Sequence, residues 1–400
     1  MGKLVPQLRF SEFSEIWLSK PFKELTKINQ GLQISISERY LEEVEDSYFY
    51  ITNEFLRKGS KNRYFIKKPS KSVLCTEDDI LMTRTGNTGM VVTNVSGAFH
   101  NNFFKIAYPD YLNKTFLYYF LNLEVTQNFI KRLAGTSTIP DLNHSDFYRI
   151  KMNYPQLPEQ QKIASFLTDV DDKITKLNKK KDLLEQYKKG IMQKIFNQEL
   201  RFKDDDGKEF PAWEKKQLRE VANYRRGSFP QPYGLPKWYD KENGIPFIQV
   251  YDVDDNMLLK PSTKHKISAL GAKQSVFVEK GTLIITIQGS IGRIAKTQYD
   301  AYVDRTLLIF QSYKIPLNLD YFKYVLFLLF EIEKRKAPGG IIKTITKEVL
   351  SSFNVMLPSI AEQTKIANFL SDIDVKIEAL NTKIENSKNF KKGLLQQLFV

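Results

Sequence analysis

The chain has 400 residues, enough for two or three domains that each bury a core of their own. Its 60 Lys and Arg outnumber its 46 Asp and Glu, and the formal net charge of +14 favours a polyanionic partner, nucleic acid first and an anionic membrane surface second. A single cysteine, Cys75, and three histidines without ligand spacing exclude a disulfide framework and a cysteine-based zinc site, so we expect no metal.

The start of the chain and its apolar runs indicate a soluble protein. The first residues lack the apolar stretch of a signal peptide, and Pro6 spoils a match to a myristoylation motif. The longest apolar run, residues 324–330, is far too short to cross a bilayer. We therefore expect a cytoplasmic location and no membrane partner.

In chain order, the predicted elements form two similar globular domains, each followed by one long helix. The fold class is α+β, with two mixed α/β domains separated by two helices. Short strands are predicted at residues 48–52, 247–250 and 283–287, and domain helices at residues 113–133 and 319–336. The predicted boundaries are 1–155 for domain 1, 156–197 for the central helix, 198–357 for domain 2 and 358–400 for the C-terminal helix.

The helical segments of the two halves repeat each other at a constant offset. The segment PEQQKIASFL at 158–167 returns 203 residues later as AEQTKIANFL at 361–370. The tripeptide KKG at 188–190 returns at 391–393 with the same offset. Because no residue is gained or lost between these segments, we expect the two halves to contact two similar targets a fixed distance apart.

The globular domains carry the same repeat. The segment DILMTRTGNTG at 79–89 is matched 203 residues later by TLIITIQGSIG, and each predicts a strand, a Gly-x-x-Gly turn and a second strand. Trp17 and Gly31 are echoed by Trp213 and Gly227 at an offset of 196. The two copies therefore differ in length only in the loops between these features.

Apolar residues three and four positions apart predict a coiled-coil seam on each long helix. If a pseudo-twofold axis relates the halves, the two helices pair antiparallel within one chain. A helix of about 36 residues spans on the order of 54 Å, compared with about 34 Å for one turn of DNA. The alternative is a dimerisation device, in which the helices pair in parallel with those of a second chain. The seam residues are Ile163, Leu167, Val170, Ile174 and Leu177, and Ile366, Leu370, Ile373, Ile377 and Leu380.

The combined pattern resembles a known family, the specificity (S) subunits of type I restriction-modification systems. The pattern Pro-x-x-x-Glu-Gln-x-Lys-Ile-Ala-x-Phe-Leu occurs at residues 155–167 and again at 358–370. A Gly-containing segment precedes each copy, at 134–139 and 337–342. Together with the repeated turn and the domain–helix order, these motifs extend the resemblance over essentially the whole chain.

The resemblance implies two target-recognition domains, each reading one half of a split, asymmetric site in double-stranded DNA. The helices would act as a spacer and as a docking surface for two modification (methyltransferase) subunits. The complex would methylate adenine and, with restriction subunits where they are present, cleave unmodified DNA in an ATP-dependent reaction. S-adenosylmethionine, ATP and Mg²⁺ would belong to the partners, and the S subunit would bind no cofactor.

The sequence itself agrees with a non-catalytic role. It lacks a Gly-x-Gly-x-x-Gly loop, an Asn-Pro-Pro-aromatic methylase motif and a Gly-x-x-x-x-Gly-Lys-Ser/Thr phosphate loop, so we predict no catalytic residues. The alternative function, from a different class, is a coiled-coil scaffold or adaptor with nonspecific affinity for nucleic acid. Tight, salt-dependent binding to a split site would separate the two.

The Gly-x-x-Gly turns carry the side chains that suit base reading, because Arg pairs with guanine and Asn or Gln with adenine. The alternative is an ordinary hairpin whose polar groups meet only water. The candidates for base reading are Arg84, Asn87 and Thr88 in domain 1, and Gln288, Ser290 and Arg293 in domain 2.

Basic loops in both domains suit phosphate contacts, which dominate affinity but carry no sequence information. The alternative is a solvated charged surface. The backbone-contact candidates are Arg57, Lys58, Lys61, Arg63, Lys67, Lys68, Lys71, Thr136 and Ser137 in domain 1, and Arg225, Arg226, Lys260, Lys264, Lys266, Lys273 and Lys343 in domain 2.

Overall fold

The computed structural model describes residues 4–57, 59–60, 62–136, 138–336 and 347–400. Contacts divide the chain into two units. Unit 1 comprises Met1–Lys181 and Leu380–Val400, and unit 2 comprises Asp182–Ala379. Each unit therefore contains one set of sheets together with part of each long helix.

The strands are short, from two to seven residues. In unit 1 they are β1 (Leu18–Pro21), β2 (Lys27–Gln30), β3 (Ser47–Ile51), β4 (Tyr64–Lys67), β5 (Leu74–Cys75), β6 (Ile80–Thr83), β7 (Val91–Val92), β8 (Gly97–Phe99), β9 (Phe103–Ala107) and β10 (Lys151–Tyr154). In unit 2 they are β11 (Glu214–Gln217), β12 (Ala222–Arg226), β13 (Ile245–Ile248), β14 (His265–Ile267), β15 (Val276–Val278), β16 (Leu283–Thr286), β17 (Ile294–Lys296), β18 (Ala301–Val303), β19 (Leu307–Tyr313) and β20 (Asn354–Leu357).

The helices include the two long ones. They are α1 (Phe22–Leu25), α2 (Lys114–Asn122), α3 (Glu124–Ala134), α4 (His144–Phe147), α5 (Leu157–Phe196), α6 (Leu218–Val221), α7 (Ala269–Ala272), α8 (Leu319–Lys336), α9 (Lys347–Ser351) and α10 (Ile360–Leu398). None of the helices described is both long and apolar enough to cross a membrane.

The sheets of the two units have the same strand order. Unit 1 has an antiparallel sheet in the order β2-β9-β6-β7, a mixed sheet β4-β3-β8-β5 and a pair β1-β10. Unit 2 repeats this as β12-β19-β16-β17, β14-β13-β18-β15 and β11-β20. In both mixed sheets the parallel pairing is the central one, β3 with β8 and β13 with β18. The predicted α+β class and the internal repeat are confirmed at the level of strand topology.

The long helices run antiparallel in both units. In unit 1, Ile163 and Leu167 near the start of α5 share a core with Leu394 and Leu398 at the end of α10. In unit 2, the end of α5 shares a core with the start of α10. This confirms the predicted antiparallel pairing within one chain. Of the predicted seam residues, Ile163, Leu167, Val170, Ile366, Leu370, Ile373, Ile377 and Leu380 are buried, and Ile174 and Leu177 are half-buried.

Two lysines of the long helices, Lys391 and Lys188, pair with aspartates. In unit 1, Lys391 Nζ lies 2.6 and 2.7 Å from the two carboxylate oxygens of Asp171, which also accepts a 2.8 Å hydrogen bond from the Tyr119 hydroxyl. In unit 2, Asp374 accepts hydrogen bonds from Lys188 and from the Tyr324 hydroxyl. Asp171 and Asp374 are 203 residues apart, and so are Lys188 and Lys391. The two pairs therefore correspond to each other under the repeat. We call each of these a Tyr-Asp-Lys clamp.

The glutamate of the repeated motif ties each domain to its helix. Glu159 is 2 % exposed and accepts hydrogen bonds from Arg9 at 2.7 and 2.8 Å and from Trp17 Nε1 at 3.3 Å. In unit 2, fully buried Glu362 accepts the corresponding bonds from the Arg201 guanidinium and Trp213. Each unit therefore has one buried ionic contact of this kind, although the separations along the chain differ between the two halves.

The glutamine that follows fixes the start of the domain helix. Gln160 Oε1 accepts a 2.8 Å hydrogen bond from the backbone N–H of Asn113, whose side chain caps α2. Gln363 makes the same contact with Asn318 in front of α8. The helix predicted at 113–133 is in fact two, because the chain breaks at Leu123, whereas α8 has the predicted bounds.

Candidate nucleic-acid interface

The C-terminal ends of four strands of unit 1 lie close together, and the residues that follow them form one surface. β2, β3, β6 and β8 meet there through backbone hydrogen bonds from His100 N to Ile51 O (2.9 Å), from Asn101 N to Leu32 O (3.0 Å) and from Arg84 N to Asn102 O (2.7 Å). The last bond joins the Gly-x-x-Gly turn at 84–90 to the short turn at 100–102. We call this surface the strand-end edge.

Unit 2 has the same strand-end edge. Asp304 N donates to Ile248 O (3.0 Å), Ser228 N to Val303 O (3.0 Å), and Ile287 N to Thr306 O (2.9 Å). The turn at 287–293 therefore lies beside the turn at 304–306, as in unit 1. Both units thus present two adjacent turns at an equivalent place.

The second glycine of each Gly-x-x-Gly turn is required by the neighbouring helix. Gly89 has φ +88° and Gly292 φ +84°. A Cβ would lie 2.9 Å from Gln127 Oε1 at Gly89 and 2.9 Å from Phe330 Cβ at Gly292. The glycines allow α3 and α8 to pack against the turns. Packing against the neighbouring helix, together with the positive φ, therefore explains this glycine.

In the turn of unit 1, two of the three predicted base-reading side chains are bound within the protein. Arg84 forms a 2.5 Å ion pair with Asp141, and its Nε is shielded without a hydrogen-bond partner in the described part of the chain. Thr88 donates to Pro140 O at 2.7 Å. Asn87 is exposed and adopts φ +45°. The tip of this turn therefore offers Asn87 to a ligand.

In the turn of unit 2, Gln288 and Ser290 are exposed at the tip. Arg293 lies at the base of the turn, where its Nε is 2.8 Å from Asp255 and its Nη1 donates to Val253 O at 3.2 Å. The guanidinium therefore holds the loop at 253–255. The turn offers Gln288 and Ser290 directly and Arg293 only after its ion pair opens.

The predicted basic residues lie on equivalent hairpins. In unit 1 they flank β4, the edge strand of the mixed sheet, and in unit 2 they flank β14, which has the same place. Lys67 lies over the Tyr40 ring and Lys264 over the Tyr251 ring, at 5.7 and 5.0 Å. The exposed candidates are Arg57, Arg63, Lys67, Lys68 and Lys71 in unit 1, and Lys260, Lys264 and Lys273 in unit 2, with Lys266 half-buried.

The remaining candidates belong to other loops. Thr136 is exposed after α3, and Arg225 and Arg226 are exposed at the end of β12. Arg226 directly precedes Gly227 at the strand-end edge of unit 2. The predicted contacts Lys58, Lys61, Ser137 and Lys343 lie outside the described residues.

The sequence alone did not indicate the polar residues on and beside the second turn of each edge, at 100–102 and 304–306. In unit 1 these are Asn53, which donates to Thr85 O at 2.9 Å, and Asn101. In unit 2 they are Gln249 and Arg305. The matching glycines Gly31 and Gly227 were the available signal, because a Cβ there would lie 2.1 and 2.3 Å from the carbonyl oxygens of Phe99 and Val303, beside the second turn.

Two titratable groups near the sheets have shifted pKa values. Burial raises the pKa of the Cys75 thiol to about 11, so this cysteine stays protonated and unreactive. Burial, aided by the charge of Arg39, lowers the pKa of His100, which accepts a hydrogen bond from Asn102 N at Nδ1. Within the described ranges, no group of three or more His, Cys, Asp or Glu side chains is placed to hold a metal ion.

A groove runs beside the long helices in each unit. Groove 1, in unit 1, has a volume of about 1130 Å³ and lies between α10 and α3, and groove 2, in unit 2, has about 350 Å³ and lies beside α5 and α8. The lining residues match at the offset of 203. They are Arg132, Val125, Lys391, Lys392 and Leu395 in groove 1, and Arg335, Leu328, Lys188, Lys189 and Met192 in groove 2.

Comparisons with known proteins agree with this architecture. The family model for the type I restriction modification DNA specificity domain matches residues 15–186 and again residues 212–387. The chain is 26 % identical over 379 residues to the type I restriction enzyme MjaVIII specificity subunit of Methanocaldococcus jannaschii, covering 89 % of this chain and 86 % of that protein.

Solved structures show the same fold. The S subunit of a type I restriction-modification system from M. genitalium superposes with a TM-score of 0.60 at 17 % identity, covering 99 % of both chains. A chain from a structural study of complex assembly in the type I R-M system has a TM-score of 0.59 at 16 % identity, covering 96 % of this chain and 97 % of that one.

Proposed function

We infer that this chain, which belongs to the type I restriction-modification DNA specificity family, is a DNA-binding specificity subunit with no catalytic role of its own. The observation that supports this best is the duplicated strand-end edge. Two units with the same topology offer different polar side chains at equivalent turns, Asn87 in one and Gln288 with Ser290 in the other. Such a pair suits a target with two different halves. The scaffold alternative gives no reason for this duplication.

We assign one half-site to each predicted domain, 1–155 and 198–357. Asn87, Gln288 and Ser290 would contact base edges, since they are exposed at the turn tips. Arg84, Thr88 and Arg293 would support the turns through their contacts with Asp141, Pro140 and Asp255. This division of roles follows from which side chains are already bound and which are exposed.

The exposed basic residues around β4 and β14 would contact the phosphate backbone. They lie in these two edge strands or in the segments beside them, and the described residues place most of them at the surface. Phosphate contacts act on every sequence alike and weaken with salt. These residues would therefore supply affinity, and the strand-end edges would supply sequence choice.

The long helices would set the length of the spacer between the half-sites. α5 has 40 residues and α10 has 39, so each spans roughly 60 Å at 1.5 Å per residue. This exceeds the roughly 34 Å of one DNA turn. The predicted segments 156–197 and 358–400 would thus hold the two domains over different parts of one duplex.

The two grooves would each dock one modification subunit. They occur once per unit, their linings match at the repeat offset, and Val125 in groove 1 is 72 % exposed although apolar. Exposed apolar surface with a charged rim is typical of a protein-binding site. The bound partners would carry S-adenosylmethionine, and restriction subunits, where present, would use ATP and Mg²⁺.

The function is tested by sequencing the methylome of cells that carry this chain with its modification subunits. We expect methylated adenines in a single split motif with a constant spacer. Gln288→Ala should change one half of the motif only. Methylation without a split motif, or a change in both halves with Gln288→Ala, would contradict the assignment.

The docking surface has its own test. Val125→Asp should reduce co-purification of the modification subunits while leaving the melting temperature of the isolated chain unchanged. Val375→Asp is the matched control, because Val375 is an exposed residue of α10 that lines neither groove. Equal co-purification with the Val125 variant and with wild type would contradict the docking role of the grooves.

A further inference from the structure

Arg305 stands at the strand-end edge of unit 2, on the turn that sequence reasoning missed. It follows the buried end of β18, and its turn is joined to the Gly-x-x-Gly turn by the hydrogen bond from Ile287 N to Thr306 O (2.9 Å). Ile287 directly precedes Gln288. Arg305 therefore lies on the turn next to the one that carries the proposed base-reading residues, and it is exposed.

The turn under Arg305 is rigidly built. Asp304 is 1 % exposed, and its Oδ1 accepts hydrogen bonds from Thr306 N (2.9 Å) and Thr306 Oγ1 (2.6 Å). The backbone N–H of Asp304 donates to Ile248 O (3.0 Å), which ties the turn to β13. A turn held on both sides fixes the point from which the Arg305 side chain extends.

The guanidinium of Arg305 is ordered by an aromatic ring instead of a carboxylate. Its central carbon lies 5.6 Å from the centre of the Tyr233 ring. The Tyr233 ring packs on Phe229 at 4.5 Å, and Phe229 packs on the fully buried Phe247 at 5.4 Å. The stack connects Arg305 to the core, and a cation over an aromatic face keeps its hydrogen-bond donors unused.

This separates Arg305 from the arginines of the Gly-x-x-Gly turns. Arg84 and Arg293 have carboxylate partners at 2.5 and 2.8 Å. Among the described residues, no carboxylate lies within ion-pairing distance of Arg305. An exposed arginine with a fixed base and free donors is the group that recognises the O6 and N7 acceptors of guanine in the major groove.

We propose that Arg305 reads a guanine in the half-site of unit 2 and is a specificity-determining residue of that unit. The proposal rests on the DNA-binding function inferred above. The lysine side chain cannot replace the planar fork of Arg305, because a single ammonium cannot contact both guanine acceptors in the same way.

The equivalent position in unit 1 holds a different side chain. Asn101 occupies the turn at 100–102, its Nδ2 donates to Gln33 Oε1 at 2.9 Å, and its backbone oxygen accepts from Gln30 Nε2 at 3.1 Å. Its Oδ1 is buried and has no partner within the described residues. The two halves of the site would therefore differ at this position, since unit 1 offers no arginine there.

The test selects binding sites from a pool of random DNA duplexes with the full chain in complex with its modification subunits. The variants are Arg305→Ala and Arg305→Lys. The matched control is Arg219→Ala. Arg219 is also an exposed arginine of unit 2, but it lies on α6, which precedes β12 and is not part of the strand-end edge. Competition with duplexes changed at single bases then measures the preference at each position.

Wild type should select a split motif with a guanine that both Arg305 variants no longer prefer. The expected loss is roughly ten- to a hundredfold at that position, with the other half-site unchanged. Arg305→Lys should retain binding to scrambled duplex, and Arg219→Ala should select the wild-type motif. An unchanged motif with Arg305→Ala, with or without a uniform loss of affinity, overturns the proposal. Failure of wild type to select any split motif would instead refute the proposed function.

Discussion

Asp171 should contribute more to the stability of unit 1 than its partner Lys391. Lys391→Ala removes an ion pair between groups whose side chains are 24 % and 36 % exposed, and a contact 5.2 Å from the centre of the Tyr119 ring. Partly exposed pairs contribute up to about 1 kcal/mol, and a cation–ring contact on the order of 0.5–1 kcal/mol. We expect Lys391→Ala to lower the free energy of unfolding by about 1–2 kcal/mol.

Asp171→Ala removes the same ion pair and also the acceptor of the Tyr119 hydroxyl. Tyr119 is 3 % exposed, and burial raises its pKa, so the hydroxyl stays protonated and loses its charged acceptor. A hydrogen bond to a charged group contributes about 1.5–3 kcal/mol. The expected loss is therefore about 2–4 kcal/mol. The double variant should lose less than the sum of the two single losses, because each single variant already removes the shared ion pair.

Calorimetric unfolding of the full chain measures these differences, because about 1 kcal/mol shifts the melting temperature of a unit of this size by about 2–4 °C. Lys392→Ala is the matched control, since its pair with Glu124 is 65 % and 68 % exposed at 3.4 Å and should contribute within about 0.5 kcal/mol. Additive losses in the double variant, or a smaller loss for Asp171→Ala than for Lys391→Ala, would refute the clamp.

Three further predictions concern buried contacts. Glu362→Ala leaves Trp213 without an acceptor and should cost about 3–5 kcal/mol by thermal unfolding; wild-type melting would exclude an anchoring role. Gly292→Ala should destabilise more than Gly289→Ala, by about 1–3 kcal/mol in urea titration, because only the former adds a clash; equal losses would contradict this. Below the ordinary His pKa of 6.5, unfolding should become easier because the folded state keeps His100 neutral, and His100→Asn should flatten that pH dependence.

The helices were predictable because their pattern extends over many turns. The apolar spacing of α5 and α10 runs over about ten turns, so local exceptions did not obscure it. The break between α2 and α3 was not predictable. Leu123 leaves the helical conformation with ψ 140°, yet neither glycine nor proline marks the position, so the sequence carries no local signal for the break. Strands as short as β5 and β7 carry too few residues for a periodic signal.

The candidate interface was predictable only in part, for a different reason. The spacing of the glycines located the Gly-x-x-Gly turn of each unit, because a turn is a local structure. The ion pair of Arg84 depends on Asp141, 57 residues away, and only the fold brings them together. Likewise, the role proposed for Arg305 depends on its contact with Tyr233, which belongs to a separate loop. Residue type suggested which side chains suit bases, and tertiary contacts determined which of them remain available.

The reciprocal arrangement of the two clamps constrains how this chain can change during evolution. An insertion in α5 alone would move Lys188 away from Asp374 while leaving the contact between Asp171 and Lys391 in place. A compensating insertion of equal length in α10 would restore both registers. Helix length should therefore vary among descendants in matched steps, and a lineage that altered one helix would carry a mispaired charge until the other followed.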